Sequence, residues 1–299
     1  MRPLFFISIK RILDIMPDIN WYPGHMAKTR RILVDQVKSV DAVIELCDAR
    51  APGATRNPDL IDIARGKNHF LVLNKCDLAN DNATRQWIHH FESQGISCVR
   101  FQSTGGKAKD VLNLIQKAAQ PAVERMKARG ANKTVRMMVI GIPNVGKSTF
   151  INKLRGQAIA KASDRPGVTR TNQWVKVGPF LELLDTPGML WPKLENQKNA
   201  EILAFLGSIR DQIMDSEELA GNLIKRLMTI APKETMARFR IGEDAKDKTV
   251  QEVLEDACRG RGWLLSGGRF DTERAAAIIL DEFRGNKVGR ISLEIPEER

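Results

Sequence analysis

Residues 141–148 read GIPNVGKS and match GxxxxGK[ST], the pattern of loops that hold phosphate groups. The match follows an apolar run (137–140) and precedes a helical pattern, as that loop requires. Glycines let backbone N–H groups face an anion at the start of the helix. We predict that Lys147 neutralises β/γ-phosphate oxygens and that Ser148 binds Mg²⁺. The other residues expected on the nucleotide here are Asn144, Val145, Gly146 and Thr149.

Two further segments carry groups that suit a metal-bound triphosphate. Residues 185–188 read DTPG after an apolar run, so Asp185 can hold Mg²⁺ and the Gly188 N–H can reach the γ-phosphate. Residues 166–171 read PGVTRT, where Thr169 can add its hydroxyl to Mg²⁺ and its N–H to the γ-phosphate. Thr171 is the alternative, because spacing does not separate the two. A loop of this kind orders with triphosphate and relaxes after hydrolysis.

The base is expected to be read by residues 74–77, NKCD, at the end of another apolar run. The Asp77 carboxylate can accept hydrogen bonds from two donors of guanine that adenine does not offer, and such a site rejects the analogue lacking them. Asn74 would brace neighbouring loops and Lys75 would cover the base face. Ser103 and Thr104, after the next apolar run, can offer a backbone N–H to guanine O6.

Alternating strand and helix patterns must position these loops. Short apolar runs predict buried parallel strands and amphipathic stretches predict helices between them, which together indicate an α/β sheet with helices on both faces. After about residue 207 the strand pattern stops and a small helical domain follows, with a glycine-rich loop at 260–268. The predicted strands are 42–47, 70–73, 98–101, 137–140, 181–184 and, as an edge strand, 173–177. The predicted helices are 26–39, 58–66, 82–94, 108–128, 147–155, 196–206, 216–230, 247–258 and 272–284.

Length and composition set the broad class. The 299 residues suit about two domains, and no apolar run is long enough for a membrane span. The net charge of +11 is unevenly distributed: residues 1–204 carry 31 basic and 18 acidic residues, whereas residues 205–299 carry 16 and 18. A basic first part suggests a polyanionic partner such as nucleic acid. The four cysteines form no CxxC pair, which argues against a zinc finger and suits reduced thiols in a cytoplasmic protein.

The N-terminal segment 1–15 reads MRPLFFISIKRILDI. Its apolar part is too short for a secretory signal, and its shortness and Asp14 argue against a transit peptide. We expect translation to begin at Met16, so that this segment is not made. A mass of the native protein that includes residues 1–15 would contradict this expectation.

The motif order carries a family resemblance. NKCD precedes GIPNVGKS and DTPG, whereas ordinary small GTPases run from the phosphate loop to the base motif, so the chain resembles the circularly permuted GTPases. WYPGHM (21–26) and DARAP (48–52) resemble the branch that acts in bacterial ribosome assembly. The resemblance implies a permuted GTPase domain at 16–206 and a helical RNA-binding domain at 207–299. It also implies GTP hydrolysis late in assembly of the large (50S) ribosomal subunit, stimulated by that particle.

The resemblance also bears on catalysis. Many GTPases place a water-orienting glutamine after the DxxG turn, but Met189 stands there and cannot hydrogen-bond water. The family's matching histidine is implicated in catalysis, which makes His25 the expected catalytic residue; packing against its aromatic neighbours is the alternative. In related GTPases an asparagine at the position of Asn144 helps hold K⁺ near the phosphates, so K⁺ dependence is expected. DARAP is either a turn tied by an Asp48–Arg50 bond or a contact with the switch region or particle.

The expected partners are GTP or GDP and the large ribosomal subunit with its rRNA, without a membrane, and a free protein that is monomeric. Basic residues are densest in 100–136 and 153–176, and in the tail they surround the glycine-rich loop. Two alternatives stay open: a GTP-dependent RNA-binding switch with negligible hydrolysis, and an organellar large-subunit assembly GTPase. The tail residues expected on RNA are Arg259, Arg261, Arg269, Arg284, Lys287 and Arg290, while Trp263 is expected in the core rather than on a base.

Overall fold

The computed structural model describes residues 24–105, 109–128, 134–156, 173–177, 181–190, 197–209 and 215–297. These residues form a unit built around a six-stranded sheet, the sheet unit, followed by a helical unit (215–297). The strands are β1 (Ala42–Asp48), β2 (Asn68–Asn74), β3 (Cys98–Arg100), β4 (Val135–Ile140), β5 (Gln173–Lys176) and β6 (Leu181–Asp185).

The sheet has the spatial order β3-β2-β1-β4-β6-β5. All neighbours are parallel except β5, which pairs antiparallel with β6 at the edge. Strand β1 is buried along its whole length, which explains why its residues other than Glu45 and Asp48 are apolar on both faces. The six predicted strands are therefore all present, each within a few residues of its expected bounds.

Helices connect the strands, as the alternating pattern predicts. They are α1 (Gly24–Gln36), a single turn α2 (Pro52–Thr55), α3 (Pro58–Ala64), α4 (Asp81–Ser93), α5 (Lys109–Lys127), α6 (Lys147–Leu154) and α7 (Gln197–Phe205). A 3-10 turn (Val37–Ser39) continues α1. Side chains of α1, α3, α5, α6 and α7 pack with the strands in one apolar core. Trp87 and Phe91 of α4 pack in a separate cluster with residues of β2 and β3.

The helical unit consists of α8 (Ser216–Ile230), α9 (Pro232–Phe239), a 3-10 turn (Glu243–Lys246), α10 (Val250–Arg261) and α11 (Thr272–Arg284). Side chains of Asp215, Thr249 and Asp271 cap the starts of α8, α10 and α11. Helix α9 is not among the predicted helices, although Pro232 at its first position is a common start signal.

Helix α7 lies between the two units. Leu203 belongs to the core of the sheet unit, whereas Ile202 and Phe205 belong to the core of the helical unit. The helical core also includes Ala54 of α2 and Ala51, which immediately precedes that helix. Residues that precede the boundary expected after residue 206 therefore belong to the cores of both units.

The glycine-rich stretch after α10 forms a small hairpin instead of an irregular loop. Leu264 bridges Phe270 in antiparallel fashion, and Trp263 is buried in the helical core as expected. Leu264 and Leu265 are exposed at this hairpin. Among the described residues, no helix is both long and apolar enough to cross a membrane.

Candidate nucleotide site

The candidate residues gather at one edge of the sheet, where the parallel strands end. Strand β2 ends at Asn74, β4 ends just before the phosphate loop (141–148), and β6 ends at Asp185. Ser103 lies shortly after β3. In open α/β sheets, ligands bind outside these carboxyl ends. The motifs distant in the sequence are brought together because β2, β1, β4 and β6 are successive neighbours in the sheet.

The side chain of Lys147 is buried within the phosphate loop. Gly146 precedes α6 with a φ of +91°, a left-handed conformation that favours glycine. The Lys147 Nζ donates to the carbonyl oxygens of Gly141 (3.1 Å) and Ile142 (2.9 Å). Burial lowers the pKa of Lys147 to about 8, although Asp185 opposes that shift. An anionic phosphate bound here would raise this pKa again, because it favours the charged ammonium group.

Ser148 and Asp185 form an oxygen-rich pair beside the loop. The Ser148 hydroxyl donates to Asp185 Oδ2 at 2.8 Å, and Asp185 Oδ1 is buried without a hydrogen bond. Burial raises the pKa of Asp185, while the Ser148 hydroxyl and Lys147 lower it. A buried carboxylate oxygen with no partner, next to a hydroxyl, is a donor set that suits Mg²⁺. The residues present therefore fit the predicted metal.

The turn after β6 packs tightly on the phosphate loop. A Cβ on Gly188 would lie 2.6 Å from the backbone nitrogen of Pro143, so the close approach requires glycine. The Met189 N–H bonds to the Gly141 carbonyl, and Asn57 donates to the Met189 carbonyl at 2.7 Å. The Met189 side chain is fully buried. It therefore has a packing role.

The loop that is predicted to bind guanine (74–80), termed the guanine loop, is held against the phosphate loop by Asn74. Its Nδ2 donates to the Val145 carbonyl at 2.8 Å, and its Oδ1 accepts from the Ser103 hydroxyl at 2.8 Å. The space beside Gly146 is so small that an added Cβ would meet Asn74 Nδ2 at 2.6 Å. The structure thus brings together Asn74, Ser103 and the phosphate loop. The Ser103 hydroxyl holds this brace and is turned toward protein.

Lys75 connects the same two loops through its side chain. It has a φ of +59°, and its Nζ donates to the Asn144 carbonyl at 2.6 Å. The same ammonium lies 3.1 Å from Asp48 Oδ2. Its position is therefore set by the phosphate loop on one side and by the DARAP segment on the other.

Asp48 and Arg50 form a buried ion pair behind Lys75. The Arg50 guanidinium donates to both carboxylate oxygens of Asp48 at 2.9 and 2.8 Å, and both side chains are about 2% exposed. Although burial opposes ionisation, Arg50 and Lys75 hold the pKa of Asp48 well below its usual range. The Asp48–Arg50 bond, one of the two alternatives expected for DARAP, is present. The contact of this pair with Lys75 was not predicted.

Arg50 also reaches the helical unit. Its guanidinium lies over the Phe283 ring at 5.5 Å. Arg284 donates to the carbonyls of Phe205 and Ala204 at the end of α7. No local sequence pattern marks these partners, because each bond joins residues that are far apart in the chain.

Asn144 carries a second connection. It has a φ of +61°, and its Nδ2 donates to the Gly207 carbonyl at 2.7 Å. The phosphate loop is therefore bonded to the chain just after α7, where the polypeptide leaves the sheet unit. The predicted role of Asn144 in holding K⁺ has to be compatible with this bond.

The remaining predicted residues are placed less completely. Asp77 and Thr149 are half-buried, and Thr104 is exposed. His25 lies in the first turn of α1, but its side chain is outside the part of the chain that the structure describes. Thr169, Thr171 and residues 1–15 also lie outside the described residues. Their predicted roles stay predictions.

Comparison with known proteins gives consistent matches. A family model described as 50S ribosome-binding GTPase matches residues 136–254. Ribosome biogenesis GTPase A of Bacillus cereus is 40% identical over 282 residues, which is 94% of this chain and 95% of that protein. Mitochondrial ribosome-associated GTPase 1 of Bos taurus is 34% identical over 293 residues, covering 92% and 88%. The crystal structure of GNP-bound YlqF from Thermotoga maritima has a TM-score of 0.63 at 28% identity, covering 91% of this chain and 100% of that chain. The similarity thus spans both units.

Proposed function

The chain belongs to the ribosome biogenesis GTPase A family, and from that membership we propose that it assists late maturation of the large ribosomal subunit. It is a GTPase with a circularly permuted P-loop domain and a helical C-terminal region. The observation that supports coupling of GTP to assembly is the bond from Asn144 in the phosphate loop to Gly207, which leads into the helical unit. A change at the phosphates can reach the helical unit through this bond.

The geometry supports the proposal that different residues of the site bind the phosphates, the guanine base and the metal ion. Lys147 and the N–H groups at the start of α6 would bind the phosphates, and Asp77 would bind guanine. Ser148 and Asp185 would hold Mg²⁺ together with Thr169, or Thr171 in its place. When bound, the ion would neutralise charge that develops on the β- and γ-phosphates. Gly188 would contribute its backbone N–H to the γ-phosphate from its position against Pro143.

The residue that positions the attacking water is proposed to be His25, because the buried Met189 side chain does not serve this purpose. An imidazole can orient water or accept its proton near neutral pH. We expect His25→Ala to lower kcat for GTP about 100-fold. GTP affinity should stay unchanged, because the predicted phosphate and guanine contacts do not involve His25.

His89→Ala is a matched control, because His89 is exposed on α4. It should hydrolyse GTP at the rate of the unchanged protein. Measuring steady-state turnover and fluorescent-nucleotide binding on both variants separates chemistry from binding. Unchanged turnover of His25→Ala in the presence of the particle would remove this assignment.

We further propose that both units contact rRNA. Lys117 on α5 and Arg269 and Lys287 of the helical unit are exposed and suit salt-sensitive phosphate contacts. Other arginines of the predicted tail cluster have partners within the protein: Arg261 bonds to Glu282, and Arg284 bonds to α7. The RNA surface is therefore proposed to be smaller than the sequence suggested. The proposed location is the cytoplasm, and the free protein is proposed to be a monomer.

GTP turnover with purified ribosomal subunits tests this function. Turnover should rise strongly with large subunits, and small subunits are the matched control. The same assay in Na⁺ in place of K⁺ tests the cation proposed near Asn144; equal rates would contradict that role. Particle binding that depends on GTP without any stimulation would favour a binding switch, and the absence of binding to either subunit would refute the proposed client.

An organellar client is the second candidate. It is supported by the 34% identity to the mitochondrial ribosome-associated GTPase of Bos taurus. Stimulation by organellar rather than bacterial large subunits would decide in its favour.

A further inference from the structure

The chain returns to the sheet unit at its C-terminal segment, residues 290–294. The side chains of Ile291 and Leu293 are buried in the core of the helical unit. Their backbone N–H groups, however, donate to the carbonyls of Leu78 (3.2 Å) and Arg50 (2.8 Å) in the sheet unit. This short segment therefore belongs to one unit through its apolar side chains and to the other through its backbone.

Four hydrogen bonds connect this segment to the guanine loop (74–80). Arg290 donates from Nε to the Ala79 carbonyl and from Nη2 to the Cys76 carbonyl, each at 3.1 Å. Ile291 binds Leu78 as described. The Asn80 N–H donates to the Ser292 hydroxyl at 3.2 Å. The bonded loop residues lie on both sides of Asp77, so the segment fixes the backbone that carries the proposed guanine-binding carboxylate.

The far end of the segment is fixed as well. Glu294 accepts hydrogen bonds from the backbone N–H groups of Gly53 (2.5 Å) and Ala54 (3.0 Å) in α2. Arg226 of α8 donates to the Leu293 carbonyl at 2.8 Å. The segment therefore has a defined path across the guanine loop.

We propose that residues 290–294 are a positioning element for guanine recognition: they hold the guanine loop so that Asp77 meets the base. This inference rests on the proposed assignment of guanine binding to Asp77. Two hydrogen bonds to one carboxylate require its orientation to be fixed. Because the segment is part of the helical core, binding of the base and attachment of the helical unit stabilise each other, as linkage requires.

The location of these contacts makes the proposal specific. All four bonds are on the base side of the site, whereas the phosphate loop has its own connection from Asn144 to Gly207. The effect of the segment should therefore be equal for GDP and GTP. It should depend on the purine, and inosine nucleotides, which lack the exocyclic amine of guanine, should be affected less.

The test measures nucleotide affinity by calorimetry on the full-length protein. Arg290→Ala should weaken GDP and GTP binding about three- to tenfold, the net effect of one or two hydrogen bonds. The loss for IDP should be smaller, so the ratio of GDP to IDP affinity should fall. At saturating GTP, kcat should stay within about twofold, because catalytic groups are not touched. Arg290→Lys should recover part of the affinity, since an ammonium can donate to one of the two carbonyls.

Two further variants make the result decisive. Arg274→Ala removes an exposed arginine of α11 and should bind every nucleotide like the unchanged protein. Ser292→Ala removes the hydroxyl that accepts a hydrogen bond from the Asn80 N–H. It should also lower the ratio of GDP to IDP affinity, through a different bond from those of Arg290. If the ratio of GDP to IDP affinity is unchanged in both Arg290→Ala and Ser292→Ala, the inference is wrong. This holds whether neither nucleotide loses affinity or both lose it equally.

The Asp77→Asn variant tests the positioning role of residues 290–294 separately from the assignment of guanine binding to Asp77. If Asp77→Asn weakens GDP binding and Arg290→Ala does not, the positioning role is wrong and the guanine site stands. If Asp77→Asn binds GDP normally, the guanine assignment itself is wrong.

Discussion

Replacing Asp77 by asparagine is expected to transfer base preference from guanine to xanthine. The carboxylate accepts from two guanine donors, whereas an asparagine amide offers one acceptor and one donor, which match the N1–H and the 2-carbonyl of xanthine. With guanine, one hydrogen bond is replaced by a contact between two N–H donors and the other is no longer made to a charged group. Together these changes cost about 3 kcal/mol or more, so GDP affinity should fall about 100-fold or more. Affinity for xanthosine diphosphate should rise, and calorimetric titration with both nucleotides measures the change.

Asp81→Asn serves as the matched control. Asp81 begins α4 close to the same loop and pairs with Arg100 and Arg85. Because these are exposed pairs, their loss should leave nucleotide preference unchanged. Retention of guanine preference by Asp77→Asn would show that another group reads the base.

Replacing Arg50 by methionine should destabilise the protein by about 3–5 kcal/mol, because it leaves Asp48 buried without its bidentate partner. Lys75 would be the remaining cation within reach, at 3.1 Å. Urea denaturation gives the free energy of unfolding of both proteins. Since the pKa of Asp48 is depressed in the folded protein, the pair stabilises at neutral pH. That contribution is lost as the pH falls below the usual range of an aspartate, so the difference between the proteins should shrink in acid.

Arg65→Met is the control for this substitution. Arg65 pairs with Asp62 on the surface, where both side chains are largely exposed. The loss of such a pair changes stability by about 0.5 kcal/mol or less. If Arg50→Met behaved like Arg65→Met, Lys75 alone would be a sufficient partner for Asp48. Combining Arg50→Met with Asp48→Asn should recover part of the stability, since the buried charge is then removed.

The sheet was largely predictable from the sequence, because buried parallel strands are short apolar runs that end in polar motif residues. Strand β1 shows this clearly: all seven of its residues are buried, and the run ends at Asp48. The phosphate loop was predictable for a different reason: local backbone geometry requires its glycines, so the loop is recognisable from a short motif. The antiparallel pairing of β5 with β6 was not, because an edge-strand pattern does not give direction.

The contacts that join the units were not predictable. From the sequence, Arg284 and Arg290 were predicted to bind RNA as part of a basic cluster. In the structure they donate to backbone carbonyls of the sheet unit. A guanidinium binds a phosphate and a carbonyl with the same donors, so residue type does not separate the two uses. The partners lie far along the chain, and no periodicity encodes them. The catalytic role of His25 and the choice between Thr169 and Thr171 stay predictions.

The path of residues 290–294 determines when, during synthesis, the contacts of the guanine loop can form. Arg290 bonds to Ala79, 211 positions earlier, and Glu294 bonds to Gly53, 241 positions earlier. Synthesis proceeds from the N-terminus, and domains generally fold as they emerge. The guanine loop is thus made early but receives these bonds only after the helical unit has been translated as far as residue 294. During synthesis, the proposed guanine-binding loop therefore gains these contacts later than the sheet unit is made.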